Sequence, residues 1–212
     1  MKKPEERKYY KQEVIVFQKN EDAFGHLSNM ATVFPVVVNN IPIRTIEALY
    51  QACRFPDHPE AQREVIEQKS PMGAKYKSRS YKLLTRPDWE EVKVSVMRWC
   101  LRVKLVQHWD AFSSVLLATG DRSIVEQSKV DPFWGAKPHP DGTLVGCNVL
   151  GRLLMELREE ITKNPGQIKA VHPLAIPSFH LYNEPIKAVY PVDIPVDDNK
   201  RSTSTQPPLF FD

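Results

Sequence analysis

Several sequence signatures of common enzyme classes are missing from this chain of 212 residues. Its six histidines show neither H-x-x-x-H nor H-x-H spacing, which disfavours a zinc hydrolase. It has no glycine-rich phosphate loop and no Gly-x-Ser-x-Gly sequence, which disfavours a Rossmann enzyme and an α/β-hydrolase. We therefore expect a protein that uses neither a metal ion nor an organic cofactor.

The chain also has few cysteines and no long apolar run. Cys53, Cys100 and Cys147 lack the short spacing of a zinc clip or redox motif, and such a set is typical of a reducing compartment. No apolar run approaches the ~20 residues of a membrane span, and the charged N-terminal segment lacks the apolar core of a secretion signal. We expect a soluble cytoplasmic protein that does not enter a membrane.

Composition and proline content indicate one domain with two appendages. Hydrophobic residues make up 42% of the chain, and 29 basic against 26 acidic residues give a net charge of +3, which permits contacts with phosphates without indicating a duplex-binding protein. Residues 165–212 hold eight of the 18 prolines. We predict a polar lead at 1–12, a catalytic domain at 13–164 and a proline-rich extension at 165–212, which either wraps around the domain or hangs free.

Local patterns predict only a few strands. Residues 13–17 and 123–128 favour strands, and residues 33–43 favour a hairpin that turns on Asn39 and Asn40. These segments are short, so the sheet should be small.

Helix signals dominate the rest of the domain. Thr45, Ser70 and Asn148 are predicted helix N-caps, and Asp88 with Glu91 resembles a capping box. Five apolar residues at helical spacing predict that the helix after Asp88 is central to the core: Val92, Val96, Trp99, Val103 and Val106.

Polar residues on one helix face are the first candidates for chemistry. Glu47, Gln51 and Arg54 lie opposite Ile46 and Cys53, and Glu47 is in the first turn, where the helix dipole favours a carboxylate. The arrangement is typical of a solvated helix face and also of a site wall.

The sequence DPFWG at 131–135 is the second candidate. Pro132 removes a backbone donor and Gly135 permits positive φ, so the stretch should be a turn. Such a turn either fills a core or lines a pocket. Lys75, the third candidate, is by itself typical of a surface lysine.

Together these segments resemble a known family. The motifs HLSNM, TIEALYQACRF, SPMGAK, WEEVKVSVMRWCLRVK, LLATGD, DPFWG and GCNVLGRLLMELR occur in the order and approximate spacing of the NADAR family of YbiA-like proteins, over roughly residues 13–162. The resemblance implies a compact α+β domain, mainly helical, with a small antiparallel sheet. It also implies hydrolysis of N-glycosidic bonds between a ribose anomeric carbon and an exocyclic amine.

This bond accounts for the residue types. Protonating the departing amine and stabilising positive charge at the anomeric carbon are tasks for a carboxylic acid and a carboxylate, and Glu47 and Asp131 are the candidate pair. Because the sugar can open to an iminium, Lys75 is the candidate nucleophile of a transient Schiff base.

The predicted substrate-binding residues surround this catalytic group. Phe133 and Trp134 would wall the pocket against a flat base, and Gly135 would let backbone amides reach phosphate or ribose. Asn29 would bond a ribose hydroxyl or a base edge, or else cap its own loop. The set is completed by Tyr50, Gln51 and Trp89, of which Trp89 could stack on the substrate.

The chain departs from the family pattern at the expected pocket rim. Members commonly have a histidine and a tyrosine where this chain has Ala48 and Leu49, and residues 77–79 (Lys-Ser-Arg) replace a Leu-Gly-Arg sequence. The altered rim, the added lysine, the basic N-terminal segment and the proline-rich tail favour a large polyanionic substrate.

Three hypotheses follow. The first is a DarG-type antitoxin that removes ADP-ribose from guanine in DNA, preferably single-stranded, and opposes a cognate DarT-type ADP-ribosyltransferase toxin. The second is a glycosidase for ribosylamino-pyrimidine phosphates of riboflavin synthesis, favoured by a small and closed pocket. The third is a module that binds ADP-ribose without turnover.

Overall fold

The computed structural model describes residues 4–166 and 168–192, which fold into an α+β domain that is mainly helical, as predicted. The helices in chain order are α1 (Ile46–Ala52), α2 (Pro59–Ile66), α3 (Pro71–Ser80), α4 (Trp89–Gln107), α5 (Trp109–Leu117) and α6 (Val149–Lys163). The strands are β1 (Arg7–Tyr9), β2 (Ile15–Phe17), β3 (Val36–Val38), β4 (Ile41–Ile43), β5 (Ile124–Glu126), β6 (Lys137–Pro138), β7 (Leu144–Gly146), β8 (His180–Leu181) and β9 (Glu184–Pro185). None of the helices in this part of the chain is both long and apolar enough to cross a bilayer.

The strands form a small antiparallel sheet and several pairs. β7 lies between β1 and β6 in the antiparallel sheet, so the predicted polar lead contributes a strand to the fold. β2 and β5 pair in parallel, with Ile15 opposite Ile124. The hairpin of β3 and β4 turns on Asn39 and Asn40, whose φ values of 50° and 62° suit a two-residue hairpin turn, so that prediction is confirmed.

The central helix of the core is α4, in contact with α1, α5 and α6. Its predicted apolar stripe is buried along its whole length: Val92, Val96, Trp99, Val103 and Val106. Apolar residues at a 3.6-residue period predict one buried helix face. In α4 this face packs against several elements at once. Helix α2, whose buried apolar face consists only of Ala61, Val65 and Ile66, was not predicted.

Two of the predicted N-caps are confirmed and the capping box is wrong. The Thr45 side chain accepts a hydrogen bond from the N–H of Ala48 at 3.2 Å, and the Ser70 hydroxyl accepts one from Gly73 at 3.0 Å. The Asp88 carboxylate caps nothing, because both of its oxygens accept hydrogen bonds from Arg86 at 2.6 and 2.9 Å. A neighbouring guanidinium has replaced the backbone N–H as its partner.

Residues 168–192 of the predicted extension pack on the domain, whereas residues 193–212 lie outside the described residues. Phe179 is buried with its ring centroid 5.0 Å from that of Trp99. Gln62 on α2 is fully buried, and its amide donates to the carbonyl of His180 at 2.9 Å and accepts from the N–H of Tyr182 at 2.7 Å. The Gln62 side chain therefore binds one carbonyl and one N–H of the hairpin formed by β8 and β9.

We predict that Gln62→Leu lowers the free energy of unfolding by about 2 kcal/mol, because it leaves a partly buried carbonyl and a partly buried N–H without partners. Urea unfolding followed by circular dichroism measures this change. The control is Gln68→Leu, since the Gln68 amide donates to Glu64 within the same helical region. Equal losses in the two variants would contradict the role given to Gln62.

Candidate functional site

A cleft of about 270 Å³ opens between α1, α3, the first turns of α4 and the segment that follows β5. The three residues predicted to be catalytic, Glu47, Lys75 and Asp131, all line it. Five of the residues predicted to bind substrate line it as well: Asn29, Tyr50, Gln51, Trp89 and Trp134. The structure thus brings together side chains that are far apart in the sequence.

Glu47 lines the cleft and is only 6% exposed. Its Oε1 accepts a hydrogen bond from the Gln51 side chain at 3.0 Å. Burial raises the pKa of the Glu47 carboxyl group above its ordinary value, and the positive charge of Lys75 and the hydrogen bond from Gln51 offset part of that rise. The group is therefore held in a fixed orientation and retains its proton at higher pH than an exposed glutamate.

Gln51 connects Glu47 to the neighbouring helix. Its amide oxygen accepts hydrogen bonds from the Ser78 hydroxyl at 2.7 Å and from the Arg54 guanidinium at 3.2 Å, while its amide nitrogen donates to Glu47. With both ends engaged, Gln51 mainly orients Glu47, although it still lines the cleft.

Lys75 reaches the cleft from the second turn of α3, the helix that Ser70 caps. Its charge lowers the pKa of both Glu47 and Glu126, so the amine faces two carboxyl groups. Among the residues that the structure describes, none forms a salt bridge with it. Its neighbour Lys77, in contrast, is paired with Glu64 outside the cleft.

The turn at 131–135 both lines the cleft and packs on the core. Asp131 Oδ1 accepts hydrogen bonds from the N–H groups of Phe133 and Trp134, each at 3.0 Å, which closes the turn. The Trp134 ring faces the cleft, but Phe133 does not line it. Phe133 packs against the core, with the Lys93 amine 4.1 Å from its ring centroid.

Gly135 does not line the cleft either, and its φ is not positive. A Cβ at this position would lie 2.5 Å from the carbonyl oxygen of Glu126. A glycine is required here because the turn passes directly over the end of β5. The expectation that this residue exposes backbone amides to a ligand therefore has no support in the geometry.

The same turn caps α6, which corrects the prediction for Asn148. The N–H groups of Val149 and Leu150 donate to the carbonyls of Phe133 and Trp134, each at 3.0 Å. The Asn148 side chain makes no capping bond, and its φ is 49°. Because the turn already supplies acceptors for the helix terminus, the asparagine amide is free to bond elsewhere.

Glu126, at the end of β5, is a site residue that the sequence reasoning missed. It lines the cleft together with Glu47, Lys75 and Asp131, whose charges act on it. Burial, reinforced by the charges of Glu47 and Asp131 and offset by Lys75, raises the pKa of Glu126 to about 7. One signal was available: an acid directly follows the apolar residues of a predicted strand, five residues before the turn at 131–135 begins.

Three aromatic rings form one wall of the cleft. The Tyr50 ring centroid lies 5.1 Å from that of Trp89 and 5.6 Å from that of Trp134. The Arg54 guanidinium covers Trp89 at 5.3 Å. Burial raises the pKa of Tyr50 well above its ordinary value, so its hydroxyl remains a neutral hydrogen-bond donor.

The loop that carries Asn29 is held by a buried lysine. Lys104 is fully buried, and its amine donates to the carbonyls of His26 at 2.7 Å and Ser28 at 3.2 Å. Burial lowers the pKa of Lys104 well below its ordinary value. The Asn29 side-chain nitrogen donates to the sulfur of Met97 at 3.0 Å, whereas its buried oxygen has no partner within the described chain. A buried acceptor without a partner is unusual, and Asn29 also lines the cleft.

Positive charge also lines the cleft. Arg54, Arg79 and Lys93 contribute to its lining together with Lys75. Such groups suit a substrate that carries phosphate. Within residues 4–166 and 168–192, no three histidine, cysteine, aspartate or glutamate side chains are grouped as metal ligands would be.

Comparison with known proteins places these features in a family. The chain matches the NADAR domain over residues 16–162. The N-glycosidase YbiA of Escherichia coli K12 is 39% identical over 149 residues, which cover 70% of this chain and 88% of that protein. An N-glycosidase of Nostoc punctiforme is 33% identical over 149 residues, which cover 69% of this chain and 92% of that protein.

Two further similarities agree with this match. A riboflavin biosynthesis protein of Vibrio vulnificus is 34% identical over 152 residues, which cover 71% of this chain and 39% of that protein. The NMR structure of the E. coli protein YbiA has a TM-score of 0.61 and 35% sequence identity, and the match covers 75% of this chain and 91% of that chain. Every cleft residue named above lies within the matched region. The chain belongs to the NADAR domain family.

Proposed function

We propose that this protein is an N-glycosidase that cleaves the bond between a ribose anomeric carbon and an exocyclic amine. The observation that carries the proposal is the meeting of the Lys75 amine with the carboxyl groups of Glu47, Glu126 and Asp131 in one cleft. A proton donor, a nucleophile and a carboxylate are the groups that this reaction needs. The E. coli and Nostoc relatives, both named N-glycosidases, support the same reaction class.

In the proposed first step, a carboxyl group protonates the ring oxygen and the sugar opens to an iminium that still carries the departing amine. The neutral amine of Lys75 adds to the anomeric carbon, after Glu47 has accepted a proton from it. Glu47 returns the proton to the substrate amine, which leaves, and a Lys75 Schiff base remains. Water adds to that carbon, the C–N bond to Lys75 breaks, and the phosphate-bearing ribose is released.

The carboxyl groups take different roles because their surroundings differ. Glu126, whose pKa is raised to about 7, holds a proton near neutral pH and is the proposed acid. Asp131 has one oxygen occupied by two backbone N–H groups, and we assign it the stabilisation of positive charge at the anomeric carbon. Trp89 and Trp134 would contact the flat leaving group.

The size of the cleft favours a small substrate. Its volume of about 270 Å³ lies below the ~300–1,000 Å³ typical of sites for drug-sized ligands. A ribosylamino-pyrimidine phosphate suits this volume better than a whole ADP-ribosyl group. The Vibrio relative, named a riboflavin biosynthesis protein, points to the same substrate class.

A second candidate substrate is ADP-ribosylated guanine in single-stranded DNA. The basic residues of the cleft favour it, and Tyr76, an exposed residue of α3 with the Arg79 guanidinium 5.4 Å from its ring, offers a stacking surface for the strand. In that case the adenosine part would lie outside the cleft, and the protein would act as an antitoxin to a DarT-type toxin.

The substrate is tested by giving the enzyme both compounds at equal concentration and measuring released ribose phosphate and ADP-ribose by mass spectrometry. We expect kcat/KM for the ribosylamino-pyrimidine phosphate to exceed that for the modified oligonucleotide by at least about 10-fold, because only the smaller compound fits the cleft. The reverse order would favour the DNA substrate. Tight binding of ADP-ribose without release from either compound would leave a binding module as the function.

Lys75→Met should lower kcat by at least about 100-fold, because it removes the nucleophile. Borohydride added during turnover should leave a sugar adduct on the wild-type peptide that contains Lys75, as measured by peptide mass spectrometry. The matched control is Lys77→Met on the same helix, whose side chain pairs with Glu64 away from the cleft and should not affect turnover. Full turnover by Lys75→Met would rule out the covalent step.

The rate should fall as the pH rises through about 7, because Glu126 must be protonated to act as the acid and its pKa is raised to about 7. Glu126→Gln should lose this alkaline limb of the kcat/KM profile, with a rate lower by about 100-fold. Glu91→Gln, on α4 outside the cleft, serves as the control. An unchanged alkaline limb in Glu126→Gln would assign the proton to another group.

A further inference from the structure

Asn148 has a conformation that its position at a helix start does not explain. It is fully buried, it has a φ of 49°, and its side chain makes no capping bond. Left-handed backbone costs free energy for any residue with a Cβ, although asparagine tolerates it better than most. Glycine would fit this backbone without strain, so a specific role of the side chain must account for the asparagine.

The side-chain amide of Asn148 completes one edge of β5. Its Oδ1 accepts from the N–H of Glu126 at 3.1 Å, and its Nδ2 donates to the carbonyl of Ile124 at 2.8 Å. The opposite edge of β5 bonds to β2, for example through the N–H of Gln127 and the carbonyl of Phe17 at 2.9 Å. The amide therefore takes the place of a strand residue, with one donor and one acceptor in ladder register.

This edge matters because of where Glu126 lies. Adjacent strand residues point to opposite faces, so a change of backbone orientation at Glu126 would turn its carboxyl group away from the cleft. No hydrogen bond from the described residues holds that carboxyl group. Its direction is consequently set by its backbone, to which Asn148 is bound.

We propose that Asn148 is a positioning residue that aims the carboxyl group of Glu126 into the cleft and fixes its distance from the reacting sugar. The proposal rests on the proposed function for its catalytic consequence, but not for its structural part. Three groups face Glu126 from other elements: Glu47 on α1, Lys75 on α3 and Asp131 on the turn. The backbone N–H of Asn148 also donates to the carbonyl of Gly135 at 3.0 Å, so the same residue joins that turn to β5.

The close approach of α6 to β5 makes this bridge possible. A Cβ at Gly151 would lie 2.1 Å from the carbonyl oxygen of Ile124 and 2.5 Å from the Asn148 amide nitrogen. Glycine at the first turn of α6 therefore lets the short asparagine side chain reach both backbone groups of the strand.

The test is Asn148→Gly, which suits a positive φ and removes only the two amide bonds. We expect kcat to fall by about 10- to 100-fold with KM within about twofold, since a small misplacement of a reacting group is costly. The alkaline limb of the rate profile should move to lower pH, because a Glu126 carboxyl group that turns towards water loses the burial that raises its pKa. The control is Asn164→Gly at the exposed end of α6, where neither quantity should change.

A second measurement is independent of activity. Hydrogen exchange followed by NMR should show faster exchange of the Glu126 amide in Asn148→Gly, while the Gln127 amide, bonded to β2, remains protected. If the wild type cleaves neither substrate, the proposed function fails while this exchange result still decides the structural part. Unchanged exchange at Glu126, or a variant with wild-type kcat and an unshifted pH profile, would overturn the positioning role.

Discussion

The structure of the site depends on one set of hydrogen bonds, between the start of α6 and the turn at 131–135. Four consecutive N–H groups, those of residues 147–150, donate to the carbonyls of residues 132–135 at 2.7–3.0 Å. A segment without regular secondary structure is thereby fully bonded, and the helix terminus needs no side-chain cap. Asp131 and Trp134 are fixed by this contact, and Glu126 is fixed through Asn148 beside it.

The cleft concentrates carboxyl groups where they oppose one another. Burial raises the pKa of both Glu47 and Glu126, and the charge of Asp131 raises both further. The charge of Glu47 also raises the pKa of Glu126. The surrounding bonds resist this repulsion: Gln51 holds Glu47, and the backbone of β5 holds Glu126. Gln62 ties residues 168–192 to α2, and the buried Lys104 holds the loop that carries Asn29, so both contacts stabilise the domain that carries the cleft.

Local sequence patterns predicted the elements well and the site in part. Thr45 and Ser70 act within four residues of their partners, so sequence spacing was sufficient to identify them. The roles of Gly135, Asn148 and Glu126 depend on contacts between segments distant in the chain, which a local pattern does not encode. An asparagine before a helix predicts a cap. Only the fold reveals that the hydrogen-bond partners of the Asn148 amide lie on a strand.

The account requires the anomeric carbon of the substrate to lie between the Lys75 amine and the Glu126 carboxyl group. A crystal structure of Lys75→Met with bound ribosylamino-pyrimidine phosphate measures this directly. We predict that the anomeric carbon lies about 3–3.5 Å from the former amine position, that the ring oxygen lies within hydrogen-bonding distance of the Glu126 carboxyl group, and that the base packs against Trp134. Substrate bound instead in the groove between α5 and α6, beside Leu117 and Met155, would contradict it.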